Sequence, residues 1–409
     1  MTRTNYGDSP WVEEVAKRRR PAFPKFRGTQ SYPVVIVGGG LAGIFSAYAF
    51  AAAGVKVALL EADRIGLKGA SRGPGVLQGE AASSYRDIET RYGRRAARVL
   101  FESSRRAVLD LATTARRLKA RSRVEVQPAL RLLVSYGAEE KALIREVSSR
   151  REAGLDPVYL KAALADRESG VVATRGGVRL RDWGQAQPYQ LITSFGEAAV
   201  KRGAAIFELS EARRIRVRRK DVEIHTPGGL LTADTVVVCT GEPSELFRSL
   251  KRHVKFDERY VVLTERLQAA IRKRIGARVR LLSDTDAPPH LVRWTDDDRL
   301  LIAGADQSRP PVRARERTLI QRTGQLMYEL SRLYPDVSGI QPTHGWDLPL
   351  AVTADSVMYA GPHRNYPRHL FAWATRHDPA QAYLASRILL RHYLGEATRD
   401  DSYFGFTRG

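Results

Sequence analysis

Three glycines, Gly38, Gly40 and Gly43, stand in the pattern G-x-G-x-x-G between the apolar run "PVVIV" and a stretch of small residues. Residues of this type at this spacing can hold a pyrophosphate. Gly38 permits a tight turn, Gly40 lets backbone approach the phosphates with no Cβ in the way, and Gly43 lets a helix pack closely on a strand. A helix that starts there turns free N–H groups and the positive end of its dipole toward an anion. Glu61 follows Gly43 by eighteen residues, about where an acid grips the hydroxyls of an adenosine ribose. Together they predict a dinucleotide site, and the pattern alone does not choose between NAD and FAD.

The elements around these residues fit that chemistry. "PVVIV" is short, continuously apolar and β-branched, as a strand buried on both faces should be. A helix is expected over 41–53, ended by Gly54, and "KVALLE" (56–61) reads as a second buried strand, which completes a βαβ unit. The charge-free run over 32–66 follows "KRRRPAFPK" and so also invites a membrane anchor or a twin-arginine export signal. A spanning helix wants about twenty unbroken apolar residues. Here glycines and a strand divide the run, and cleavage within it would destroy the βαβ unit. A cytoplasmic location and no transmembrane segment are the expectation.

Residues 1–30, with Pro and Arg and no apolar periodicity, are expected to form an N-terminal arm. Downstream, amphipathic helices are expected over 93–119, 139–153, 188–202 and 318–334, and a last one over 379–394, where Asp378-Pro379 supplies an N-cap and a first-turn proline. Strands are expected over 129–136, 170–182 and 204–209, then a hairpin turning at "PGG" (227–229) and delivering the buried strand 235–239. Four strand-like runs, "RYVVLTE", "ARVRLLS", "HLVRW" and "RLLIAG", fall between 259 and 305 and suggest an antiparallel sheet.

At 409 residues the chain is expected to form two joined domains. The fold class expected is α/β: a Rossmann-like dinucleotide-binding domain (FAD-binding, by the resemblance given below) interrupted by an α+β substrate domain with a largely antiparallel sheet. The boundaries expected are 1–30 for the arm, 31–125 with 185–250 and 340–409 for the cofactor domain, and 126–184 with 251–339 for the substrate domain. The formal charge of +22, from 67 basic against 45 acidic residues, is spread along the chain. Its densest run, "RRIRVRRK", alternates like a strand with one solvated face. This argues against a nucleic-acid binder and for a general attraction to anions. One cysteine, Cys239, excludes a disulfide framework and a multi-cysteine metal site, and no metal is expected.

Over about 32–395 the sequence resembles the FAD-dependent amine and amino-acid oxidoreductases of the D-amino-acid oxidase/glycine oxidase group, in its gamma-glutamylputrescine oxidase-like branch. The stretches that carry the resemblance follow in order: "EADRIGLKGASRGPG", "DWGQAQPYQLITSFGEAAVKRGA", "TADTVVVCTG", "YVVLTERL", "RWTDDDRLLIAGAD", "LYPDVSGIQPTHGWD" and "ADSVMYAGP". It implies non-covalent FAD, with Gly38, Gly40, Leu41, Ala42 and Gly43 on the pyrophosphate and Glu61 on the ribose. Ala212 would offer backbone to the adenine, Gly241 would lie near the phosphates, and Ser71, Arg72 and Gly73 would approach the isoalloxazine.

The activity implied is oxidation of the C–N bond of an amine or amino acid by hydride transfer to flavin N5, with hydrolysis of the imine. Electrons would then pass to O2 or a carrier. Such a site wants a cation beside the flavin N1–C2=O edge, able also to hold a substrate carboxylate. Arg376, His377 and Arg293 are the candidates, with Tyr260 either a pocket wall or a core residue. One departure stands out. The family's C-terminal flavin loop is rich in glycine, whereas "ATRHDPAQAYLASR" (374–387) has none and places Asp378 where positive charge is wanted. Two alternatives stay open. One is a flavin hydroxylase or dehydrogenase of another FAD group, although no late "GD" follows the apolar strand. The other is a flavin-binding subunit or electron-transfer partner with little turnover.

Overall fold

Gly28–Val37 becomes a strand flanked on one side by Val57–Leu60 and on the other by Gly229–Gly241, all parallel. The structure is a computed structural model that describes residues 4–134 and 139–408. The full order of this first sheet is Tyr359–His363, Tyr366–Trp373, Gly229–Gly241, Gly28–Val37, Val57–Leu60, Ala205–Phe207. Val222–Thr226 and Arg214–Val217 extend it from Gly229–Gly241 as an antiparallel flap. The strands expected from "PVVIV", "KVALLE", "AAIFEL" and "TVVVC" are thus neighbours, as a doubly wound sheet requires. The first strand is longer than its apolar run. Its polar half, Gly28 to Tyr32, pairs with Gly229 to Ala233 while its side chains stay largely in solvent.

Leu41–Ala52 crosses one face of this sheet with eleven of its twelve residues buried. A helix buried all round has no polar face to show, and its small residues let Pro188–Lys201 and Pro379–Leu394 pack against it. Phe45 meets Phe195 and Tyr383 edge-on, at ring distances of 4.7 and 5.7 Å. The long helix Tyr85–Arg117 begins eight residues before the expected start. Ser84 caps it by accepting the Asp87 N–H, and Gly93, at φ 85°, breaks it after its first two turns, at the position where the helix was expected to start.

The second sheet is largely antiparallel. Its order is Asn5–Tyr6, Pro342–Val352, Lys255–Thr264, Leu300–Ser308, Leu291–Trp294, Leu281–Asp284, Glu125–Leu132, Gly177–Gln185, Val76–Leu77, with Val158–Leu160 also on Gly177–Gln185. The four runs between 259 and 305 lie side by side in it, and Arg315–Leu333 packs on Lys255–Thr264, Leu300–Ser308 and Pro342–Val352. Glu125–Leu132 covers the start of the strand expected over 129–136, and Ser135 and Tyr136 lie outside the described residues. Two segments sit in this sheet although they fall in the stretches expected to be cofactor domain: Val76–Leu77 and Pro342–Val352. The arm differs most from expectation. Asn5–Tyr6 pairs in parallel with His344 and Gly345, and Trp11 and Phe26 are buried. Among the described residues no helix is long and apolar enough to cross a membrane.

Arg408 fixes the far end of the chain. It donates to Asp355 through Nε (2.7 Å) and Nη2 (3.1 Å), and its guanidinium lies 3.9 Å from the Tyr359 ring. The pairing outweighs burial and holds the Asp355 carboxyl down at about 2. Replacing Arg408 by Ala removes the only cation paired with that buried carboxylate among the described residues and leaves it the Tyr92 hydroxyl (2.8 Å) and the Val357 N–H (3.1 Å), so we expect a loss of about 3 kcal/mol in chemical denaturation.

Candidate active site

A cavity of about 780 Å³ opens at the C-terminal ends of the parallel strands. Its first wall is the glycine turn. Gly38, at φ 104°, donates its N–H to Leu60 O (2.8 Å), and a Cβ there would lie 2.6 Å from Cys239 O. At Gly43 a Cβ would meet Gly38 O at 1.8 Å. At Gly40 a Cβ would meet nothing within 4 Å, because that face looks into the cavity. Gly40 is also the N-cap of Leu41–Ala52 and offers no side chain to the first-turn N–H groups, and no acid stands in that turn. An open, uncapped helix start beside glycine backbone fits a pyrophosphate.

Gly39 was missed by the spacing rule and is as crowded as Gly38. A Cβ there would lie 2.3 Å from Ile65 Cδ1 and 3.0 Å from Glu61 Cβ. The Gly39 N–H donates to Glu61 Oε2 (2.6 Å), and Asp63 N–H donates to Oε1 (2.8 Å). The carboxylate is therefore oriented by backbone at the cavity wall, where an acid can meet ribose hydroxyls. Ala212 and Gly241 also line the wall, the latter at φ 78°. Cys239 is buried, and burial pushes its thiol up to about 12, so it is an inert core group at neutral pH.

Ser71, Arg72 and Gly73 do not line this cavity, although Lys68 and Gly69 just before them do. Ser71 Oγ donates to Lys68 O (2.8 Å), Arg72 reaches Gly7 O, and the carbonyls of Arg72 and Gly73 accept from Trp346 and Trp11. Arg293 is placed away from both large cavities. Its Nη1 donates to the carbonyls of Pro74, Gly75 and Ala186 at 2.9 to 3.0 Å. This corrects the expectation that it meets substrate: its side chain points into the loop because that is the buried face of its strand. Tyr260 is a core residue whose hydroxyl accepts from Gln307 Nε2 at 2.9 Å.

The opposite wall is the loop before the last helix, and it explains how a glycine-free segment can serve there. Ala374, Arg376 and His377 all adopt positive φ, at 60°, 54° and 58°. This is backbone that glycine enters freely and other residues enter at a cost of about 1 kcal/mol or more. Asp378 then accepts the N–H of Ala380 (2.7 Å) as N-cap and that of Gln78 (3.0 Å), so its carboxylate faces backbone donors. Burial pushes it up to about 7. His377 Nε2 donates to Pro349 O at 2.5 Å, and burial holds the ring down at about 4, so it is neutral at neutral pH.

Arg376 is then the loop's cation. Burial first, then Arg259, lowers it to about 10, well above neutral pH. Its guanidinium makes no hydrogen bond or ion pair among the described residues. It lines both the first cavity and a second one of about 590 Å³, walled by Leu143, Leu291, Ser283 and the paired Arg131 and Arg259. Arg259 is not free like Arg376, because Asp306 takes both its Nε (2.8 Å) and its Nη2 (2.6 Å). Sequence position brought Arg376 and His377 to the same wall but could not show that only one carries charge.

Residues 33–380 match the model of the family described as "DAO: FAD dependent oxidoreductase". The chain is 26% identical over 359 residues to the probable oxidoreductase OrdL of Rhizobium meliloti (strain 1021), covering 84% of this chain and 78% of that protein. It is 24% identical over 392 residues to gamma-glutamylputrescine oxidoreductase of Escherichia coli (strain K12), covering 90% and 85%. The fold is similar to that of glycine oxidase from Geobacillus kaustophilus, with a TM-score of 0.77 at 18% identity over 93% of this chain and 99% of that one.

Two outcomes follow for the loop. Ala374→Gly relieves a left-handed alanine, so we expect it to stabilise the protein by about 0.5–1 kcal/mol in thermal or chemical melts. Asp378 binds its proton more tightly folded than unfolded, so its contribution is present below about 4 and is lost as pH rises through about 7. Asp378→Asn keeps an N-cap and removes that slope. The melting temperature of the variant should therefore gain on the parent from about pH 4 to about pH 7 and level off above that.

Proposed function

This chain belongs to the family of FAD-dependent oxidoreductases, and from that premise we propose that it oxidises the C–N bond of an amine or amino acid. The observation that carries the substrate class is Arg376, a deep-set and unpartnered guanidinium facing both the cofactor cavity and the second cavity. A planar fork of donors with no acceptor among the described residues suits a carboxylate. The names of gamma-glutamylputrescine oxidoreductase and glycine oxidase support an amine or amino acid as the class.

The roles proposed for the residues follow from their placement. Gly38, Gly40, Leu41, Ala42 and Gly43 hold the pyrophosphate on backbone and the helix dipole. Glu61 takes the ribose, Ala212 offers backbone to the adenine, and Gly241 borders the phosphates. When bound, FAD supplies the acceptor for the hydride that leaves the carbon bearing the amine. Arg376 places positive charge at the junction and orients the carboxylate, so that this carbon faces the cofactor cavity. His377 stays neutral and braces the loop on Pro349, a positioning role rather than a charged one. The division into a cofactor unit and a substrate unit belongs to the same proposal, with Val76–Leu77 and Pro342–Val352 counted with the second.

The reading of a flavoprotein without turnover drew its support from the glycine-free loop. That support weakens once the loop adopts the glycine conformation without glycines. The experiment is anaerobic titration of the yellow holoprotein with a panel of amines and amino acids, followed by readmission of air to test O2 as acceptor. We expect bleaching by a carboxylate-bearing amine. In Arg376→Gln, kcat/KM for that substrate should fall by about a hundredfold, and by much less for the matching amine without the carboxylate. A flavin that no amine bleaches, or an equal loss for both substrates, would count against this reading.

A further inference from the structure

Arg315–Leu333 packs its inner side on the second sheet through Leu319, Thr323, Leu326 and Leu330. Its outer side is not uniformly polar, as that of a surface helix is expected to be. Ile320 and Tyr328 stand there at 47% and 64% exposure, and Gly324 lies between them with open space where a Cβ would be. Glycine weakens the middle of an exposed helix, and alanine would fit here. What glycine leaves is bare backbone at the helix centre, which a second helix can approach closely.

The outer residues recur every four positions: Glu316, Ile320, Gly324, Tyr328 and Arg332, all exposed. A spacing of four traces one ridge along a helix, and such ridges interlock when two helices cross. This ridge is also complementary to itself. Turned end for end about Gly324, Ile320 meets Tyr328, Glu316 meets Arg332, and glycine meets glycine on the axis. Within one chain the acid and the base are about 24 Å apart, at about 1.5 Å per residue, too far to pair. Among the described residues Glu316 has no hydrogen bond or ion pair, and Arg332 has only a long contact to Glu329 at 3.4 Å.

We propose that this helix face receives a second copy of the chain, as a two-fold, antiparallel helix pair centred on Gly324. A two-fold contact is the commonest association of identical chains, and it requires one patch to fit itself. The charges set the register more than they add strength, because exposed pairs contribute little. Pairing here leaves the site open. The helix packs with Val262, Leu282 and Val292, whereas Arg259, Ser283 and Leu291, of opposite parity on the same strands, line the second cavity. The helix and that cavity therefore lie on opposite faces of the sheet.

Sedimentation of the full chain as purified, from about 1 to about 200 µM, tests the pairing, and we expect a monomer–dimer equilibrium in the micromolar range. Glu316→Arg or Arg332→Glu alone sets like charges opposite one another twice per dimer and should weaken association about tenfold or more. The double swap restores opposite charges only in this register, so its dissociation constant should return to within about threefold of the parent. Gly324→Cys puts two thiols on the axis and should give a disulfide-linked dimer under mild oxidant. The buried Cys239 cannot supply that link. All three positions are exposed, so each variant should melt within about 3 °C of the parent. If a swap fails to fold, the cross-link decides. The proposal is overturned by a parent that stays monomeric at the highest concentration, by single swaps that associate as the parent does, by a double swap as weak as the singles, or by Gly324→Cys that forms no cross-link.

Discussion

Backbone pressed against backbone at the glycine turn sets the terms for the rest of the molecule. A Cβ at Gly43 would lie 1.8 Å from Gly38 O, and one at Gly38 would lie 2.6 Å from Cys239 O. The helix Leu41–Ala52 is thereby driven into the sheet, so it must be covered on its other sides as well. Pro188–Lys201 and Pro379–Leu394 do this, with Phe45 wedged between Phe195 and Tyr383. Once the last helix packs there, its N-terminus lies at the same cavity as the first helix start. The loop from Ala374 to His377 therefore faces the glycine turn through packing among helices, and the Ala374 N–H, donating to Gly241 O at 3.1 Å, ties the two walls at their edge.

The electrostatics of that opposed pair are sparse. One wall offers uncapped N–H groups, and the other offers Arg376. The two titratable neighbours of Arg376 are kept out of play by burial: His377 is held neutral on Pro349 O, and Asp378 is turned onto the N–H groups of Gln78 and Ala380. A carboxylate beside the flavin site, which looked like a defect in the chain, is a helix cap. The left-handed backbone at three of the four residues before it lets the chain turn sharply enough for Arg376 to face the cavities and Asp378 to face away.

The βαβ unit was legible because its signals are local: an apolar run, a glycine turn, a small-residue helix and a terminal acid, all within residues 33–61. The last helix was legible for the same reason, and Pro379–Leu394 matches the expected bounds because its cap and first-turn proline adjoin. The arm was not legible, since its partners lie near residues 73, 187 and 345 and it has too few apolar residues to show a period. Arg293 was misjudged because strand alternation gives two faces and does not say which one a cavity adjoins. Gly39 escaped because the fingerprint leaves that position free, whereas here Ile65 and Glu61 crowd it. The positive φ values at 374, 376 and 377 carry no sequence mark at all when the residues are not glycine.

The strand order of the first sheet also bears on how the chain is made. Gly28–Val37 leaves the ribosome early, yet its neighbour Gly229–Gly241 is nearly two hundred residues away in sequence. At about 5–20 residues per second, synthesis of the intervening chain takes on the order of ten seconds or more. Throughout that interval the β-branched edge of Val34 to Val37 has no strand to pair with on one side. An open apolar edge is a ready template for chain-to-chain association. The nascent protein is thus vulnerable at the segment that later forms one wall of its cofactor cavity, and translation speed and chaperone supply bear on its yield.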